Sequence, residues 1–307
     1  MKINLTIPTS WRTCTTEQLE LICLAQQQAQ AQPPEQQPVA WKVRCFLALA
    51  RLEIQEDRQT DEHGTPYFMV ASLSQPETTF RLYVWQLQSF IKDQLAWLDT
   101  PPNIIRFPYP EWEHKGKTFR GPAIYLSGWS WQQYRLLKDY LDYFFRTAEK
   151  AEKNKDKQAL VQASAMVLAT LYNAETDYLD ETSHLPTHGY HYHPGQSTAN
   201  RDSFLSFPPL RFSVIILWWG SLALKLKHDY PKCFGSSDKN PKKPHRQHLS
   251  DPTFDYARTT ATLEKYMNTN EQQLQQESYT VVLQHLQDMI KQNEEIERIN
   301  QKMKQKK

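Results

Sequence analysis

Apolar residues recur along this chain at helical spacing far more often than they alternate. Thr15 or Thr16 caps a first helix whose apolar side is Leu19, Ile22, Cys23 and Leu24. Val43, Phe46, Leu47, Ala50 and Ile54 predict a second helix over Val39–Gln55. In TTFRLYVWQLQSFIKDQLAWL, Leu87, Ile91, Leu95 and Leu98 make the face of a third. Trp129–Lys150 reads as a helix capped by Ser130, with Tyr134, Leu137, Leu141 and Phe144 or Phe145 on its apolar side. Gln158–Tyr172 carries Val161, Ala165, Leu168 and Tyr172 in step, and the charged turn KAEKNKDK joins the two as an antiparallel hairpin. Pro208 and Pro209 then introduce an apolar helix reaching about His228. Its face is Val214, Leu217, Leu222 and Leu226, while Ile215, Ile216, Trp218 and Trp219 make it apolar nearly all round, so it belongs in a core. Strand signals are few: YFMVASL is one strand, and a small hairpin is possible about His114–Lys117.

These elements predict a mainly α protein. It is a multi-helix domain with at most one or two short strands, plus a C-terminal helical extension. Residues 1–234 form the main domain, with a Gln-rich loop at 26–38, where Pro33 and Pro34 interrupt, and a His-rich insertion at 180–203. Residues 235–253 are a basic linker. Residues 254–307 are the polar extension. TIPTSW is an extended lead-in whose Trp11 docks as a staple, and Trp41, Trp85, Trp97, Trp131, Trp218 and Trp219 sit in helical patterns as core.

Composition narrows the class. The 307 residues are 39% hydrophobic and 12% aromatic, with nine tryptophans, which speaks for folded regions joined by polar segments. Only eight glycines are present, against Gly-rich phosphate loops. A formal charge of +2 does not advertise nucleic-acid binding by the whole chain. Cys14, Cys23, Cys45 and Cys233 form no C-x-x-C pair, which fits a reducing compartment. The opening residues show no apolar signal core, and the run Phe212–Leu224 is shorter than the roughly 20 residues of a membrane span. The expected location is the cytoplasm.

No Walker, dinucleotide-binding, zincin or nucleophile-elbow motif is present, and no catalytic residue or cofactor is expected. His184, His188, His191 and His193 have imidazoles at metal-like spacing, but Pro186, Gly189 and Pro194 among them point to a solvated loop rather than a zinc site. The pairs Asp139/Asp142 and Asp177/Asp180 read as helix surface rather than as magnesium ligands. Residues 225–248 are basic. There Lys239, Lys242, Lys243 and Arg246 are the alternative nucleic-acid contacts, without the interleaved aromatics of a single-strand binder. From Tyr279, spacings of three and four pick out Val282, Leu286, Met289, Asn293, Ile296, Asn300 and Met303, a narrow heptad seam. Val282, Leu286, Met289, Asn293 and Ile296 are the expected partner-binding residues.

Four segments carry a resemblance. IPTSW is followed by T-x-x-QL-x-x-I (Thr15, Gln18, Leu19, Ile22); then come FRGPAIYLSGWSWQQYRLLKDYLDYF (119–144), ALVQASAMVLATLYN (159–173) and LWWGSLALKLKHDYPKCF (217–234). In this order they resemble an uncharacterised family from the tail-gene region of phages and prophages of gut Bacteroidetes, similar in kind to tail-assembly chaperones. The resemblance implies a helical, non-enzymatic protein that acts on protein partners, virion tail components or itself. The Gln-rich tract and the His-rich insertion depart from that pattern.

Overall fold

Contact patterns in the computed structural model, which describes residues 7–154, 156–174, 194–234 and 256–305, divide the chain into two units. The first unit is 1–108 with 208–221; the second is 109–207 with 222–307.

The first unit opens on a helical hairpin. Helix α1 (Thr16–Ala29) begins where Thr15 Oγ1 accepts from Gln18 N and the Gln18 side chain returns to Thr15 N. It buries Leu19, Ile22, Cys23, Ala25 and Ala29. Its last turn therefore takes up Gln26–Ala29, and only the short stretch before α2 (Gln37–Leu49) remains of the expected 26–38 loop. Helix α2 buries Cys45, Phe46 and Leu49. It stops short of the expected Gln55, because Arg51 turns left-handed (φ 54°) and Leu52 starts a strand.

That strand corrects the strand count. An antiparallel sheet runs β1 (Leu52–Thr60), β2 (Pro66–Ser72) and β3 (Gln75–Tyr83), in that order. YFMVAS of the expected strand lies in β2, with Leu73 in the turn after it, and the segments on either side join the sheet too. Asp61 Oδ1 accepts from the amides of His63 and Thr65, and Gly64 (φ +75°) closes the turn between β1 and β2. Helix α3 (Val84–Gln94) follows directly, so the expected third helix loses its opening TTFRLY to β3. Trp11 does dock: its Nε1 donates to Thr100 O at 3.0 Å, and its ring meets Trp97 edge-on at 5.0 Å. Trp85, expected in the core, is 59% exposed.

The second unit is mainly helical. A hairpin of β4 (Glu111–His114) and β5 (Lys117–Arg120) stands where one was expected, with Lys115 and Gly116 both at positive φ, as a type I′ turn requires. Helices α4 (Trp131–Asn154) and α5 (Lys157–Leu171) pair as predicted, and Ser130 Oγ accepts from Gln133 N as the cap. A short β6 (Asn173–Ala174) completes a second three-stranded sheet, order β4-β5-β6. The far end of the expected insertion is helical. Helix α6 (Pro194–Asn200) and a 3₁₀ turn (Arg201–Phe204) bury Ser197 and Phe204. The mainly helical reading stands, with six strands rather than one or two among the described residues.

Helix α7 (Pro209–Asp229) contributes its first residues to the first unit and its last to the second. By length and composition it is the one helix among the described residues that could cross a membrane. At 21 residues it is longer than the thirteen-residue apolar run within it. Val214, Ile215, Trp218, Trp219, Leu222 and Leu226 are buried within the chain, but Leu217 is only half-buried, so the helix is not covered all round. Short α8 (Pro231–Phe234), α9 (Tyr256–Met267), α10 (Glu271–Gln276) and the long α11 (Tyr279–Gln305) follow.

Candidate functional site

The start of α11 is sewn to the start of α4. Trp131 N donates to Glu277 O at 2.7 Å, Tyr279 N donates to Trp129 O at 3.2 Å, and Ser130 and Ser278 form a β-bridge. Tyr279 stacks on Tyr134 at 5.0 Å, and Tyr134 stacks on Trp131 at 5.8 Å. Val282, Leu283 and Leu286 are buried. On its other flank α11 meets α8, where Cys233 Sγ lies 3.5 Å from Leu283 O and Lys232 Nζ pairs with Glu294 at 2.6 Å. The first half of α11, within the expected extension, is therefore core of the second unit.

Beside this seam lies a cleft of about 380 Å³, lined by the 124–128 turn, the end of α7, Tyr230 and the start of α11. The turn is strained: Tyr125 and Leu126 both take left-handed backbone, φ 53° and 55°. Two contacts hold it there. Tyr279 Oη donates to the Tyr125 carbonyl, and the Lys225 ammonium sits 4.9 Å from the Tyr125 ring centroid. Lys225 also donates to Asp229 Oδ2 at 2.6 Å, and His228 Nδ1 lies 3.1 Å from Asp229 Oδ1. The Lys225 bond is the main reason that the Asp229 carboxyl is held below its ordinary value and the ammonium above its own. Burial pushes the Tyr230 and Tyr279 phenols up. Ser278 and Thr280 hydroxyls bond each other at 2.9 Å. The charged groups and these hydroxyls are thus committed within the fold, and no hydroxyl here faces a histidine base among the described lining residues.

The remainder of α11 has a different character. Lys291 through Met303 are exposed, including Ile296 at 55%, Ile299 at 45% and Met303 at 56%. Spaced by three and four, these three apolar side chains share one stripe.

No protein family, curated protein or solved structure matches the chain.

The expected partner-binding set is accordingly divided. Val282 and Leu286 are spent on the chain's own core, which corrects their assignment. Met289 is half-buried; Asn293 and Ile296 are exposed. Ile299, outside the strict heptad seam, belongs to the exposed stripe, and its distance of three from Ile296 was the signal for it. Lys225 and Lys232 of the basic stretch hold ion pairs with Asp229 and Glu294. Lys239, Lys242, Lys243 and Arg246 lie outside the described residues, as do the 235–253 linker, Asp177, Asp180, His184, His188, His191 and His193. Asp139 and Asp142 share one face of α4, and burial raises both carboxyls. Among the described residues no three His, Cys, Asp or Glu gather as metal ligands. Burial pushes the Cys14, Cys23, Cys45 and Cys233 thiols up to about 12, which makes them poor nucleophiles.

Proposed function

We propose that this chain is a non-enzymatic assembly protein. It binds protein partners through residues 291–305 of α11 and acts in the bacterial cytoplasm during phage or prophage tail assembly. One observation supports it above the others: α11 is anchored by a buried first half and presents an exposed second half with an apolar stripe at Ile296, Ile299 and Met303. A helix with so little apolar cover gains most of its stability by packing that face on something. An anchored, projecting helix suits a partner that docks helix against helix. The order of the tail-region motifs supplies the biological setting. The cleft adds no enzymatic reading, because its polar groups bond one another.

Co-expression with the products of the flanking genes tests this. The full chain should co-purify with a virion structural protein, and a chain ending at Ile290 should not. Flanking genes without virion proteins, or unchanged capture by the shortened chain, would refute the proposal.

A further inference from the structure

We infer that the exposed end of α11 pairs with the same helix of a second copy, and that the two run antiparallel. The inference rests on the assembly reading and names one partner for the same surface. Its basis is the charge order along the helix. Glu294, Glu295 and Glu297 occupy one turn; Arg298, Lys302 and Lys304 follow. Glu294 is held by Lys232, and Glu295 makes an exposed intrahelical pair with Arg298 at 3.6 Å.

Parallel pairing would set the acidic turns side by side. It would also place Glu295 beside the partner's Asn300, where it gains no ion pair. Antiparallel pairing crosses the acidic turn of each copy with the basic end of the other. When Ile296 packs against the partner's Ile299, and the reverse, Met303 falls beside the partner's Gln292, whose amide donates to Tyr266 Oη of its own chain at 3.1 Å. In that register Glu295 lies beside the partner's Lys302, twice by symmetry. The stripe carries only three large apolar side chains per copy. The interface therefore falls below the roughly 1,200 Å² of stable complexes, and pairing is weak and concentration-dependent.

Sedimentation of the full chain over a wide concentration range tests this. The wild type should shift from monomer to dimer, and a chain carrying I296D and I299D should stay monomeric with unchanged circular dichroism. E295K and K302E should each weaken pairing on the order of fivefold, because two exposed ion pairs become like-charge contacts. Combining them should restore it. Residues 295 and 302 are about 10 Å apart along one helix, too far to pair within a chain, so rescue has to come from between copies. A wild type that stays monomeric throughout, or a dimer indifferent to I296D and I299D, overturns the pairing. A dimer that the charge exchange fails to restore overturns the antiparallel register. A monomer that still captures a flanking-gene product through 291–305 overturns this inference and leaves the assembly proposal standing.

Discussion

Ile215 and Leu217 lie two positions apart on α7, and both read as core from their neighbours. Ile215 is buried, while Leu217 is half-exposed. Ile215→Ala should lower stability by about 2–5 kcal/mol, the range for a truncated buried aliphatic residue. Leu217→Ala should lose clearly less, and chemical denaturation of the two variants compares them directly; equal losses would contradict the burial difference. Trp85 makes the same point. An aromatic at helical spacing tells that a face exists, not that something covers it. At Asp229 the charge state matters. Its folded carboxyl is held below the ordinary value, chiefly by the Lys225 bond. The pair therefore contributes stability above the carboxylate range, and the contribution is lost as pH falls through the folded value. Asp229→Asn should be less stable than wild type at neutral pH, and the gap should close in acid. A gap that persists unchanged in acid would show that Asp229 acts by something other than its charge.

At the scale of elements, α11 has a buried first half and an exposed second half, and a cut between them separates the two. A chain ending at Ile290 keeps Tyr279, Val282, Leu283 and Leu286 and should retain its near-ultraviolet spectrum and melting temperature. A chain ending at Asn270 removes all four and should lose native packing around α4. If both cuts leave the melt unchanged, the stacking of Tyr279 on Tyr134 does not support this unit. Helices with long apolar faces were legible: α1, α4, α5 and α7 lie within a few residues of their expected bounds. Strands β1 and β3 were not. β1 is an edge strand whose residues after Leu52 are largely exposed, so nothing in its composition separates it from a polar turn. β3 runs straight into α3, and its TTFRLY end was read together with the helical segment that follows. Periodicity identifies an element's type only where one of its faces is buried.

Each unit of the whole molecule is assembled from two separated stretches of chain, and this is what the sequence reading could not supply. A heptad seam at 279–303 announces a helix needing a partner, but it does not say that α4 and α8 of the same chain take its first half. Bridging the intervening residues adds little loop entropy, since each doubling of loop length costs only about 0.6 kcal/mol. Distance along the chain therefore gave no reason to exclude that docking, and none to expect it. The consequence is testable in a chain ending at Phe234, the boundary that composition suggests. Such a chain leaves Trp131 and Tyr134 without Glu277 and Tyr279, and Cys233 without Leu283. Hydrogen exchange should lose protection sharply in α4, because the helices packed on it are gone, and in α5, which pairs with α4. Protection in α1 and α2, which bury Ile22, Cys23, Cys45 and Phe46 in the first unit, should survive. If α4 and α5 stay as protected as in the full chain, residues 1–234 are self-sufficient and all of α11 is free for partners.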